Sequence, residues 1–414
     1  MSYVIGVGQT PFGRFPDCSL VDMGLRALRA ALDDAGIDKR TIDGVVIANA
    51  FGAMLLGETT LGQSITYRAG LRQVPVLNIK NACTSGSSAV HVGNMAIAAG
   101  QCEVVLVLGV EKMCVPQMGL INSGHQDLDT LMGLVAPASF ALRAKRHMHE
   151  FATTPRQLAA VAVKNRKHAA LNPLAMFRTP ESLDSVLAAP MIVDPLTRPQ
   201  CSPVADGAAA VILSRRPSGG GGGSRRSVTL AASILGSGSH ERPTALATWA
   251  TDRDVAAKAY DRAGVGPEDI DVLECHDAFS IAEILHIEAL GLCPVGEGGP
   301  LTEGGATALG GRIPVNVSGG LLSRGHPIAA TAVAQIGELA RQLRGDAGAR
   351  QVAAAEGQGD AGGHEPDHQH LVVHPAHQVD EHQRVEDADP QREGAFGAQV
   401  MRQPRSGPDK QRQP

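Results

Sequence analysis

The chain repeats itself once, and that repeat limits the folds open to it. Residues 31–51 read ALDDAGIDKRTIDGVVIANAF, and residues 259–279 read AYDRAGVGPEDIDVLECHDAF. Aligned without a gap, Ala31, Asp33, Ala35, Gly36, Ile42, Asp43 and Phe51 meet Ala259, Asp261, Ala263, Gly264, Ile270, Asp271 and Phe279. Each copy reads as a helix end, a glycine C-cap, a polar loop and a strand. A short fixed period would imply a solenoid. A single recurrence far along the chain implies two similar halves instead.

A second correspondence points the same way. Val76-Leu77-Asn78-Ile79 leads into a turn bearing Cys83 and then a helix of small residues, about 84–99. Ile313-Pro314-Val315-Asn316-Val317 leads into a turn bearing His326 and then an amphipathic helix, about 328–344. Val333, Ile336, Leu339, Ala340 and Leu343 share one face of that helix. A pseudo-two-fold relation between the halves would bring the two turns together. The runs 104–110 and 272–275 read as buried strands, and strands alternating with helices in both halves predict an α/β layered fold.

The expected organisation is a first half over 1–217, a linker over 218–224, a second half over 225–353 and an atypical tail over 354–414. Residues 111–200 break the strand–helix rhythm and read as an inserted region, with a helix over 155–169, able to cover a site. SGGGGGS at 218–224 reads as a flexible linker. The tail is rich in His, Gln, Asp, Gly and Pro and reads as disordered, with Leu371-Val372-Val373 its one strand-like run.

Composition narrows the function. A net charge of −5 weighs against a nucleic-acid-binding role. Seven cysteines without paired spacing argue against a disulfide framework and against a structural zinc, so no metal site is expected. Neither a secretory signal nor a membrane-spanning run is read, and a reducing, cytoplasmic setting fits.

Asn81-Ala82-Cys83-Thr84-Ser85-Gly86 puts a thiol where a strand gives way to a helix. The unpaired N–H groups of a helix start favour a thiolate and can hold an oxyanion. A lone thiol is more often a packing residue. Ser323-Arg324-Gly325-His326-Pro327 offers an imidazole in the related turn, able to take the proton of Cys83. His276-Asp277-Ala278-Phe279 follows a strand, at the carboxyl end where α/β folds build their sites. His276 is read as a donor to a substrate oxygen, and Asp277 as the cap of a helix over 280–290.

Asn81-Ala-Cys-Thr-Ser-Gly, His276-Asp-Ala-Phe, Asn316-Val-Ser-Gly-Gly and Gly325-His-Pro-Ile, in this order, resemble the thiolase family in its sterol-carrier-protein/lipid-transfer type. Glu288-Ala-Leu-Gly-Leu-Cys-Pro294 and Asp206-Gly-Ala-Ala-Ala210 are similar too, and the likeness runs from about residue 3 to 350. It implies a five-layered α/β/α/β/α fold of two similar halves with a loop domain inserted in the first. It implies acyl transfer on 3-ketoacyl-CoA or acetyl-CoA, by thiolytic cleavage or Claisen condensation in lipid metabolism. Cys83 would be the acylated nucleophile, His326 its base and His276 part of an oxyanion pocket. Coenzyme A would be a co-substrate rather than a tightly bound cofactor. Its phosphates would meet basic residues of the inserted region: Arg143, Lys145, Arg146, Arg166 and Lys167 are the candidates, Arg146, Arg166 and Lys167 foremost. A homodimer or homotetramer is implied, with room for an accessory subunit. Ketosynthases, lipid-transfer-type retro-aldolases and non-catalytic acyl-CoA-binding subunits remain alternatives. The chain departs from the family in two places. Ala278 stands where the subgroup often has its second cysteine, and no cysteine follows Cys293. After Gln351-Val352 the family pattern is lost, and a chain of this kind is expected to be less stable or less active than its relatives.

Overall fold

In the computed structural model the described residues are 2–116, 131–218, 227–237, 245–353 and, for the backbone, 370–373. The linker beyond Ser218 and most of the tail lie outside them. The strands are β1 (Ser2–Gln9), β2 (Gly44–Ala48), β3 (Val76–Ile79), β4 (Val104–Glu111), β5 (Met191–Val193), β6 (Leu196–Thr197), β7 (Gly207–Ser214), β8 (Val228–Ser233) and β9 (His370–Val373). The helices are α1 (Leu20–Ala35), α2 (Gly52–Leu56), α3 (Leu61–Ala69), α4 (Ser85–Ala98), α5 (Ala136–Phe151), α6 (Pro155–Ala170), α7 (Leu183–Ala188), α8 (Ala250–Ala263), α9 (Ser280–Ala289), α10 (Gly298–Glu303) and α11 (Ile328–Arg344). The described residues lie within one compact unit, Met1–His382.

One mixed sheet runs in the order β3-β2-β4-β7-β1-β8-β9. β2 pairs in parallel with β3 and β4, whereas β7 is antiparallel to both β4 and β1. β4 and β7 are apolar on both faces, as a strand covered by helices on each side must be. On one face lie α1 and α3, through Met23, Ala27, Leu28, Ala31, Leu61 and Ile65. On the other lie α4 and α11, through Ala89, Val90, Ile97, Val333 and Ile336. Helix α11 is buried on nearly every side, which marks a middle layer rather than a surface helix. Across it from the sheet, Gln335 Nε2 donates to the Cys275 carbonyl at 2.6 Å. The extended segments of the second half pack in turn against α8 and α9, through Leu273, Val315, Ala256 and Ile287. The layers thus alternate helix, sheet, helix, extended segments, helix.

The two repeat copies fold alike. Helices α1 and α8 both end on a left-handed glycine, Gly36 at φ 65° and Gly264 at φ 72°. A short 3-10 turn follows each, over Lys39–Thr41 and Pro267–Asp269. The copies differ at the strand. Gly44–Ala48 is a full strand, whereas 272–275 and 313–317 meet in a single parallel bridge, Leu273 to Val315. Pro314 has no N–H to extend that ladder, and Asn316 leaves the extended region at φ 56°.

Among its described residues the inserted region is a packed helical layer. Phe140, Ala144, Leu158 and Ala162 of α5 and α6 share a core with Phe279, Ile281 and Leu285 and with Leu321 and Leu322. Thr154 caps α6 with a reciprocal Gln157 pair, so the helix expected over 155–169 starts where its capping sequence places it.

Candidate active site

The Cys83 turn is built by its own polar neighbours. Asn81 N–H donates to Ser85 Oγ at 2.8 Å, Asn81 Nδ2 to Ser88 Oγ at 2.9 Å, and Thr84 Oγ1 to the Asn81 carbonyl at 2.7 Å. These bonds hold Ala82 at φ 42°, in the left-handed region. Cys83 therefore sits on a tight 3-10 turn, Ala82–Thr84, just ahead of α4. It is half-buried, against Ala50, Phe51, Met113 and Ile328.

The second turn approaches because α4 and α11 touch at backbone distance. A Cβ on Gly86 would stand 2.7 Å from the Ala329 carbonyl, so only glycine lets the helices meet. The chain before α11 winds as a π-turn over Gly320–Arg324. Asp277 holds it, accepting from Leu321 N–H at 2.7 Å and from Asn165 Nδ2 at 2.7 Å. A side chain at Gly320 would put its Cβ 2.2 Å from Asp277 Oδ2. Asp277 is thus not the cap of α9, whose first turn has no side-chain cap. Its carboxylate reaches across to the backbone N–H groups that would otherwise be orphaned in the π-turn. The link from Asp277 to α6 continues inward. Asn165 Nδ2 also donates to Glu283 at 3.2 Å, and Lys164 Nζ lies 2.9 Å from Glu283 Oε1.

The outcome is a cluster of three. A ligating atom from each of Cys83, His276 and His326 lies within 4.8 Å of the others. The two imidazoles meet edge to face, centroids 4.9 Å apart. His326 Nδ1 is 2.8 Å from Thr331 Oγ1, whose hydroxyl donates to the Pro327 carbonyl. That assigns the ring proton to Nδ1 and leaves a lone pair on Nε2. Nε2 and both nitrogens of His276 meet no other hydrogen-bond partner among the described residues. Burial, with the Arg324 guanidinium nearby, pulls His326 down to about 3. Burial and the neighbouring His326 push His276 well below the ordinary histidine value. Both rings are neutral at neutral pH.

Cys275 turns away from this cluster, as strand alternation requires. It lies among Leu273 and Ile287, and Asn316 Nδ2 approaches its sulfur at 3.4 Å. Cys293 packs on the same core, and burial pushes its thiol to about 12. Neither joins Cys83.

The basic residues of the inserted region separate. Arg146 is exposed and paired with Glu150. Arg166 is turned inward, 3.0 Å from Glu181 and over the Phe177 ring at 4.3 Å. Lys167 is exposed, at a cleft of about 350 Å3 lined also by Arg156, Lys164 and His168. None of the three cluster residues lines that cleft. Thr331, Arg324 and the Asn165–Glu283–Lys164 group were not legible as site residues. Thr331 alone carried a signal, a hydroxyl five residues after His326 in the same helix start.

Family comparison agrees with this geometry. The model described as "Thiolase, N-terminal domain" matches residues 2–217, and "Thiolase C-terminal domain-like" matches residues 237–368. The chain is 40% identical to an acetyl-CoA acetyltransferase of Methanothermobacter thermautotrophicus, over 85% of this chain and 93% of that one. It is 35% identical to benzoylsuccinyl-CoA thiolase subunit BbsB of Thauera aromatica, over 84% and 91%. It is 37% identical to human sterol carrier protein 2, over 86% and 68%. Among solved structures it superposes on the Ltp2-ChsH2(DUF35) aldolase with a TM-score of 0.72 at 25% identity, covering 84% of this chain and 90% of that one. The Acat5 thiolase of Ascaris suum, in complex with coenzyme A, shares the fold with a TM-score of 0.59 at 20% identity, covering 82% and 92%. The chain has the thiolase fold and is an acyltransferase of the thiolase family.

Proposed function

We propose that the chain transfers acyl groups between CoA thioesters through an acyl-Cys83 intermediate. The observation that carries this reading is the meeting of Cys83, His276 and His326 within 4.8 Å. His326 Nε2 takes the thiol proton, and the Thr331 contact fixes the tautomer that makes this possible. The imidazolium so formed stands beside a thiolate, and that opposite charge offsets its burial. The thiolate attacks the keto carbon of a 3-ketoacyl-CoA. The carbon–carbon bond breaks, the acyl group stays on sulfur, and the electron pair passes to a thioester enolate, which takes the proton held on His326 and leaves as a CoA thioester. A His276 N–H donates to the developing oxygen charge. A second CoA then gives its thiol proton to His326 and takes the acyl group, Cys83 leaves as the thiolate and regains that proton, and condensation is the reverse. Lys167 is the solvent-facing candidate for the CoA phosphates, since Arg146 and Arg166 are engaged by Glu150 and Glu181. Self-association, which the family likeness implies, is supported by β3. It stands at the edge of the sheet with Leu77 half-exposed.

The test is thiolysis of acetoacetyl-CoA by CoA. His326→Ala is expected to lower kcat about a hundredfold or more, and His276→Ala by a similar factor. Full activity of either variant would remove these roles.

A second reading is carbon–carbon cleavage of the aldol type. Two observations favour it: among the described residues no second thiol joins the Cys83–His276–His326 cluster, and the 25%-identical neighbour is the Ltp2-ChsH2(DUF35) aldolase. Cleavage that proceeds without free CoA, and survives Cys83→Ser, would select that chemistry.

A further inference from the structure

Helix α5 carries two arginines and a lysine, and two of these three have carboxylate partners. Lys145 pairs with Asp194 and Arg146 with Glu150. His147 lies 3.1 Å from Glu288. Arg143 is different. It is 4% exposed, and neither Nε nor Nη1 meets an acceptor among the described residues. Its guanidinium carbon stands 5.7 Å from the centre of the Trp249 ring. A ring face covers the flat side of a guanidinium and leaves its in-plane N–H groups unanswered. Arg166 makes the contrast: as deeply buried and also over a ring, it has Glu181 at 3.0 Å.

A buried charge without a counter-charge calls for a ligand that brings one. The surroundings of Arg143 point to the kind. Phe140, one turn before it, stacks on Phe279 at 4.5 Å, and Trp249 meets Phe140 edge-on at 6.3 Å. Phe279 lies three residues beyond His276. Trp249 also packs on His286, ring centroids 4.5 Å apart, and His286 bonds to the His276 backbone, so the aromatic wall under Arg143 reaches the site. A hydrated phosphate belongs at the surface. A carboxylate carried on an apolar acyl chain suits a dry wall and a single guanidinium.

We propose that Arg143 binds a carboxylate on the acyl group, so that the enzyme selects CoA thioesters of dicarboxylic acyl chains over monocarboxylic ones. The proposal deepens the acyl-CoA reading and rests on it. A site built to hydrogen-bond a substrate group rejects the analogue that lacks it.

The test is calorimetric titration of the Cys83→Ser protein, which cannot turn over, with matched acyl-CoA pairs of increasing chain length. Each pair differs only in a terminal carboxylate in place of a methyl. At one chain length the diacid thioester is expected to bind about tenfold more tightly or better. Arg143→Met should abolish that preference and leave the affinity for CoA itself within about twofold. Absence of a preference at every length, in the protein that keeps Arg143, overturns the proposal whether or not the variant folds. So does an equal loss for CoA and both thioesters in Arg143→Met, which would assign the guanidinium to a phosphate. Acetyl transfer from acetyl-CoA to the unmodified protein reads the acyl-transfer function separately. A diacid preference without acetyl transfer would keep the Arg143 site and remove the covalent mechanism.

Discussion

His326, the proposed base, is prepared for that role by its surroundings. Thr331 fixes the proton on Nδ1, and burial beside Arg324 holds the ring neutral to about 3. The sign of the effect is definite. A lowered pKa keeps the imidazole unprotonated throughout the range in which an ordinary histidine would charge. The pH profile of kcat/KM is therefore expected to show no acid limb near 6.5, the unperturbed histidine value. A limb at that pH, moved or lost in His326→Gln, would contradict this account. At this scale the sequence singled out three residues that the fold brings together, and was silent about their state. Cys83, His276 and His326 stood out because each occupies a strand-to-helix junction. The neutral state of the rings depends on Arg324 and on burial, which arise only when distant segments close over the site. Asp277 was misjudged for the same reason. Its ordinary role next to a helix is a cap, and its actual partners, Leu321 and Asn165, are remote in sequence.

The two turns meet because their elements are shaped for contact. Small residues at the start of α4 let α11 lie against it, and Gly86 has no room for a side chain. Gly86→Ala is expected to destabilise the protein by about 1–3 kcal/mol and to lower activity, because the Ala329 carbonyl must shift. Asp277→Ala removes the acceptor for the π-turn and leaves buried donors unpaired. It should cost about 3 kcal/mol. Urea unfolding measures both, and wild-type midpoints would show that these contacts do not hold the turns. The helices over 155–170, 280–289 and 328–344 were legible from capping and periodicity. The strands of the second half were less so. Their apolar runs suggested a ladder that Pro314 and the turn at Asn316 cut to one bridge.

Across the whole molecule, the two similar halves account for a thiol and an imidazole meeting in one cluster. Repeat copies separated by much of the chain fold into the same helix, glycine cap and turn, and the layers between them bring the related junctions face to face. Legibility was greatest here, because the repeat is in the sequence itself, and the family comparison supports the same architecture over both halves. The same burial makes the molecule sensitive to acid. His168 donates from Nδ1 to the Asn316 carbonyl and accepts from Leu309 N–H at Nε2, and burial holds it at about 3. Between pH 6.5 and 4 the unfolded chain binds protons that the folded His168 and His326 do not, so stability falls as pH falls. Each contributes a loss of about 2 kcal/mol by pH 5. A urea midpoint unchanged between pH 7 and pH 5 would oppose this. The central claim is a covalent acyl group on one sulfur. Incubation with acetyl-CoA followed by intact-mass and peptide analysis tests it most directly. The account predicts a single acetyl adduct on the Cys83 peptide, absent in Cys83→Ser. No adduct, or an adduct that persists without Cys83, would contradict it.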